Sequence, residues 1–157
     1  FMRILVVSDM HRRKSNFEKV LERHSDIDEI FFLGDGVDDA EEISSFFKGK
    51  RFTLISGNCD FLSKYPSTVM CELCGVKILA THGHTYSVKS GTQNLLNAAL
   101  ENGVRLAIYG HTHIQKAEYI KGVHIICTGA LGGGEGGPGY AIIDVTPNGI
   151  VPNLLRL

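Results

Sequence analysis

The sequence predicts an α/β fold in which two β-sheets pack face to face with helices on the outside. Three observations point there. The first half alternates continuous apolar runs with segments of helical spacing. The second half is a quick succession of strands joined by tight turns. The chain has 157 residues, 43% hydrophobic and 21% charged, which suits one soluble domain with a full core, residues 1–157.

The elements follow in order. "RILVVSD" is a continuous apolar run, as in a strand covered on both faces. "SNFEKVLERH" places Phe17, Val20, Leu21 and His24 at helical spacing, and Ser15 with Glu18 has the spacing of a capping box. "EIFFLGD" is the second strand. "VDDAEEISSFF" is a helix with acids in its first turns, where the helix dipole favours them. "RFTLISGN" is the third strand. "STVMCELCGVKILATH" reads as two strands joined near Gly75. "TQNLLNAALENG" is a helix ended by Asn102-Gly103, and "VRLAIYGH" is the next strand. "QKAEYI" and "VHIICTG" turn at Lys121-Gly122, and "YAIIDV" and "IVPNLL" turn at Pro147-Asn148-Gly149. Two packed sheets with outer helices bury both kinds of element.

Composition excludes several classes. The formal charge is −1 with no long basic run, so non-specific nucleic-acid binding is not expected. No apolar run approaches the ~20 residues that span a bilayer, and no signal peptide is visible, so no membrane and a cytoplasmic location are expected. Phe1 reads as an addition ahead of a natural Met2. Cys71 and Cys74 form a lone C-x-x-C without the second pair that structural zinc needs, so they read as thiols in a hairpin, and Cys127 as packing.

The chemistry sits at strand ends. "RILVVSDMH" delivers Asp9 and His11, "EIFFLGD" Asp35 and "FTLISGN" Asn58. "KILATHGH" delivers His82 and His84, and "RLAIYGHTH" His111 and His113. Sheets of this kind collect ligands beyond the carboxyl ends of their strands. Imidazoles, carboxylates and one amide oxygen suit borderline divalent ions, namely manganese, iron, zinc or nickel, better than magnesium or calcium. There are more donors than one ion uses, so two ions sharing a carboxylate fit better. No serine is placed with a base for a Ser–His–Asp arrangement.

Each piece has a plainer reading. Asp35 after a glycine is what a cap for a helix at Val37 looks like, and His82 alone is what a hydrogen-bonded core histidine looks like. Their shared position is what favours a site. His24 and His124 lie outside the pattern and read as surface or packing residues. "LGGGEGGPGY" contains G-x-G-x-x-G but is followed by a strand, so it reads as a flexible surface loop rather than a dinucleotide site.

The motifs "DMH", "GD", "GNCD", "THGH" and "GHTH", in this order and spanning nearly the whole chain, resemble the calcineurin-like metallophosphoesterase superfamily, in particular its small single-domain branch of bacterial and archaeal phosphodiesterases. The resemblance implies a four-layer αββα sandwich with two metals at the strand ends. It implies Asp9, His11 and His113 on one metal, Asn58, His82 and His111 on the other, and Asp35 between them. It implies hydrolysis of small phosphodiesters by a hydroxide generated between two divalent ions, manganese first among them. Asn58, His82 and His84 are the catalytic candidates. Arg12 and Cys59 are the candidates for substrate contact.

Two departures stand out. Many relatives carry a histidine after the asparagine, where it protonates the leaving group, and Cys59 stands here instead. His84 then either donates to the substrate in its place or orients His82 or a water. Relatives also commonly carry an arginine after "GHTH", and its lack points to a mobile glycine-rich loop that shapes substrate access. The rival readings are a non-catalytic protein-binding scaffold of the same fold, a phosphomonoesterase and a nuclease. Monomer and homo-oligomer are equally open from the sequence.

Overall fold

The computed structural model describes residues 1–157. Ten strands and three helices follow in the expected order. They are β1 (Met2–Val7), α1 (Lys14–Arg23), β2 (Glu29–Phe32), α2 (Val37–Ser44), β3 (Arg51–Leu54), β4 (Thr68–Leu73), β5 (Val76–Thr81), α3 (Gln93–Glu101), β6 (Leu106–Tyr109), β7 (Lys116–Ile120), β8 (Val123–Cys127), β9 (Gly139–Thr146) and β10 (Gly149–Arg156). The first sheet runs β10-β9-β1-β2-β3 and the second β4-β5-β6-β8-β7. In the first sheet β1, β2 and β3 are parallel; in the second β5, β6 and β8 are. No helix is long and apolar enough to cross a membrane.

The apolar runs explain the layers. Ile4 and Val6 of β1 join Phe31, Ile78, Ile108 and Ile126 in the core between the two sheets. Leu5 and Val7, on the other face, pack with Phe17, Val20 and Leu21 of α1 and Ala40 and Ile43 of α2. Leu79, Ala107 and Ile125 turn outward onto Leu95, Leu96 and Ala99 of α3. Strands buried on both faces need no polar alternation, which is why the sequence shows none there. The result is the four-layer αββα sandwich.

Register brings the strand ends level. Val7 pairs with Phe32, and Phe32 with Leu54. Asp9, Asp35 and Asn58 therefore leave one edge side by side. Ala80 pairs with Ile108 at the same end of the second sheet. The Thr128 hydroxyl donates to the Val6 carbonyl at 2.7 Å and ties the sheets together there.

Some local expectations are corrected. Helix α1 starts two residues earlier than a cap at Ser15 requires, with Arg13 at its N-cap and no side-chain cap, so Ser15 lies inside the first turn and the capping box does not form. The glycine-rich loop is not loose. Leu131 and Gly132 donate backbone bonds to Ser8 and Asp9, Asn16 donates to Leu131, and Arg156 donates to the Glu135 and Gly137 carbonyls. Cys71 and Cys74 are free thiols of the first hairpin, and Cys127 is buried.

Two hairpins have two-residue turns with both φ angles positive, Cys74 (50°) with Gly75 (73°) and Lys121 (51°) with Gly122 (82°). This is the turn type that matches strand twist and favours Asn-Gly. Lys121 is exposed and pays the left-handed penalty without packing in return. Lys121→Asn is therefore expected to stabilise the chain by about 0.5–1 kcal/mol, read as a shift in the urea unfolding midpoint.

Candidate metal centre

Five strand ends build the site. The turn after β1 carries Asp9 and His11, that after β2 Asp35, and that after β3 Asn58. The turns after β5 and β6 carry His82 with His84 and His111 with His113. Asp9, His11, Asp35, His111 and His113 all have φ between 46° and 71°, in the left-handed region that residues other than glycine rarely adopt. Such a cluster turns side chains into one hollow instead of letting them alternate.

Two groups of candidate ligands form, with donor atoms within 4.8 Å of one another: Asp9 with His11 and His113, and Asp9 with Asp35 and His82. His113 Nε2 lies 3.1 Å from Asp9 Oδ1 and 3.2 Å from His11 Nε2. His111 Nδ1 lies 3.2 Å from His82 Nε2, and Asn58 Oδ1 lies 3.0 Å from it. All seven candidate metal ligands named from the sequence thus converge. The carboxylate common to both groups is Asp9, whereas the resemblance put Asp35 between the two ions.

His82 provides the test of whether the residues fit a cation. It is fully buried, and its Nδ1 donates to the Leu33 carbonyl at 2.7 Å. In neutral imidazole that leaves a lone pair on Nε2. This lone pair faces Asn58 Oδ1 at 3.0 Å, His111 Nδ1 at 3.2 Å, Asp35 Oδ2 at 3.5 Å and Asp9 Oδ1 at 3.9 Å. A proton on Nε2 would serve one of these atoms; a divalent ion would serve all of them. Donors bound at ~2.0–2.2 Å stand roughly 3–3.5 Å apart around such an ion. The donor set fits.

The carboxylates are held firmly. Asp9 is buried, which pushes its carboxyl up, but hydrogen bonds from His11, His113 and the Ser8 hydroxyl outweigh that and hold it well below the usual range. Ser8 Oγ donates to Asp9 Oδ2 at 2.6 Å and the His111 amide at 2.9 Å. Asp35 Oδ1 accepts from the Cys59 amide at 2.9 Å.

Sequence reasoning missed Asp60. It does not point into the centre. Its Oδ2 accepts from the amides of Asp35 (2.7 Å) and Gly57 (2.8 Å), and its Oδ1 from those of Gly36 (2.8 Å) and Val37 (3.1 Å). One carboxylate therefore clips the turn after β2 to the turn after β3 and satisfies the start of α2. The N-cap position of α2 is Gly36, and the carboxylate that accepts from its first amides is Asp60, not Asp35. The only signal in the sequence is an acid two residues after the asparagine of "GNCD".

The glycines of "GD", "GN" and "GH" are required by contact. A Cβ on Gly57 would collide with Asp35 Oδ1, and one on Gly110 would collide with Ser8 Oγ and come within 2.6 Å of Asp9 Oδ2. One on Gly34 would sit 2.8 Å from His82 Nδ1.

His84 stands beside the centre, its ring centroid 5.4 Å from that of His82 and 6.1 Å from that of His111. Its Nδ1 is buried without a hydrogen-bond partner. It does not orient His82, since the Leu33 carbonyl does. Arg12 and Cys59 line a cleft of about 280 Å³ at the mouth, with His11, Asp35, Asp38 and Asp60 among its walls. Burial, then the charge of Asp35, pushes the Cys59 thiol up.

The calcineurin-like phosphoesterase superfamily domain matches residues 2–148. A Bacillus subtilis protein named Probable metallophosphoesterase YsnB is 27% identical over 131 residues, 83% of this chain and 75% of that protein. Among solved structures, a conserved predicted phosphoesterase of Streptococcus pneumoniae TIGR4 superposes with TM-score 0.81 at 26% identity, covering 99% of this chain and 89% of that one. An archaeal phosphodiesterase (TM-score 0.72, 24% identity, 98% and 100% covered) and Entamoeba histolytica Vps29 (0.77, 16%, 99% and 99%) share the fold.

Asp60→Ala leaves four main-chain donors without their acceptor and is expected to cost about 2–3 kcal/mol, with Asp60→Asn losing roughly half of that. Thermal and urea unfolding of the two variants measures it. Equal stabilities for wild type and both variants would remove the clip from the account.

Proposed function

The chain belongs to the calcineurin-like phosphoesterase superfamily, and from that premise we propose that it is a phosphodiesterase using two divalent ions to hydrolyse small phosphate diesters in the cytoplasm. The observation that carries the reading is the buried His82 Nε2 facing Asn58, His111, Asp35 and Asp9 within 3.0–3.9 Å. Asp9, His11 and His113 would hold one ion, and Asn58, His82 and His111 the other. Asp35 and Asp9 would lie between them. Manganese is the first choice for this nitrogen-and-oxygen donor set, with iron, zinc or nickel as alternatives. Such ions would supply an activated water and neutralise charge on the phosphoryl oxygens.

The protein's own groups do the rest. The Leu33 carbonyl fixes the tautomer and ring plane of His82. Ser8 and the His111 amide fix Asp9, and the Cys59 amide fixes Asp35. Arg12, exposed at the mouth and free of ion pairs, is placed to attract the anionic diester. Cys59 takes the position where a leaving group would be protonated. Its raised thiol is a weak acid, so diesters with good leaving groups should react best.

The non-catalytic scaffold ranks second. The likeness to Vps29, at 16% identity, is one of fold alone. A donor set filled at all five of these strand ends favours catalysis. A monoesterase would need more cationic groups at the mouth, where Asp38 and Asp39 stand beside Arg12.

The reading is tested with bis(4-nitrophenyl) phosphate and 4-nitrophenyl phosphate. Metal-stripped protein should be inactive, manganese should restore diester hydrolysis, and Asp35→Asn should lower kcat by at least ~100-fold. Bound manganese without turnover of either ester would sink the enzyme reading, and preference for the monoester would overturn the diester assignment. Cys59→His should raise kcat on an alkyl diester at least ~10-fold while changing the nitrophenyl diester much less. Equal effects on both would remove the leaving-group role from this position.

A further inference from the structure

A second cleft, of about 400 Å³, opens on the other side of the "GHTH" turn. Lys89, Thr92, Thr112 and Lys116 supply its polar walls, and Val88 and Tyr109 its apolar part. It adjoins the metal centre at two points. Thr112 lies between His111 and His113. Gly83 lies between His82 and His84, and a Cβ there would stand 2.8 Å from Val88 and 3.5 Å from Tyr109.

The charges in this cleft are not balanced internally. Lys116 faces Glu118 at 3.7 Å, and Glu118 also accepts from the Thr92 hydroxyl at 3.3 Å. Lys89 has no ion-pair partner. The first cleft has the opposite character. There Asp38 and Asp39 stand at the mouth, and Lys14 is shared between Asp39 at 3.4 Å and Glu42 at 2.6 Å. A second anion on the substrate finds Asp38 and Asp39 beside the single guanidinium of Arg12 on that side, and the unpaired Lys89 on the other.

We propose that the second cleft binds an acidic substituent, a carboxylate or a second phosphate, carried on a short arm of the diester. Lys89 supplies the charge, and Val88 with Tyr109 covers the linker. The inference rests on the phosphodiesterase reading and narrows its substrate class.

The test uses 4-nitrophenyl diesters whose second arm is propyl, 2-carboxyethyl or 2-phosphonoethyl. Wild-type enzyme loaded with manganese should favour the acidic arms by about tenfold or more in kcat/KM. The preference should fall to near unity in Lys89→Ala and partly in Lys116→Ala, and Lys89→Arg should retain much of it. The contrast between the two acidic arms tells which anion the cleft takes. No preference in wild type, or an unchanged preference in Lys89→Ala, would overturn the proposal. Binding of the same diesters to metal-free protein is measured by calorimetry alongside. If no diester is hydrolysed, the phosphodiesterase reading fails, and Lys89-dependent tighter binding of the acidic arms still decides this one.

Discussion

Everything in the centre depends on main chain coming close enough to touch carboxylates. Asp9 reaches the hollow only because Gly110 passes with no side chain against its Oδ2, and Asp35 only because Gly57 does the same. Those contacts set the spacing between the turns after β1 and β6, and between those after β2 and β3. Neither glycine needs an unusual φ. Their requirement is space beside another turn rather than within their own: Gly110 meets Asp9 across the two sheets, and Gly57 meets Asp35 within the first. The sandwich and the site are thus one construction: the inter-sheet core of Val6, Phe31, Ala80 and Ile108 ends where these contacts begin.

The backbone is strained to make use of that proximity. Five candidate ligands sit in the left-handed region, at a cost of order 1 kcal/mol each. Hydrogen bonds across the turns offset it. The Asp9 amide donates to Gly34, the Met10 amide to Asp35, and the His111 amide to Asp9 Oδ2. The glycine-rich loop leans on the same turns, since Gly132 and Gly134 pack directly on the carbonyls of Met10 and His113. Arg156, near the far end of β10, fastens that loop in turn. Rigidity at the centre is therefore drawn from strands that carry no ligand.

Much of this was legible in the sequence, for a definite reason. Strands covered on both faces write themselves as unbroken apolar runs, so their ends are sharp, and polar residues at those ends stand out. Element order, the turns at Gly75 and Gly122, and the convergence of Asp9, Asp35, Asn58, His82, His111 and His113 all followed. What stayed hidden was whatever depends on the partner across a gap. Asp60 looks like any acid in a loop until its four amide donors are known. Ser15 and Glu18 have capping spacing, yet Arg13 begins the helix. The glycine-rich segment looks loose in composition, and its anchors, Asn16 and Arg156, lie far away in sequence.

The same limit applies to electrostatics and bears on substrate choice. The formal charge of −1 says little about a site whose two flanks differ in sign. Asp38 and Asp39 flank one cleft because the dipole of α2 favours acids in its first turn. Lys89 flanks the other because a short helical turn, Val88–Ser90, directs it there ahead of α3. A symmetric diester would gain nothing from this difference. A diester with one plain and one acidic arm would be held in one orientation, which fixes the ester oxygen that faces Cys59. Orientation matters most where the acid at that position is weak, because the better leaving group must then be the one presented to it.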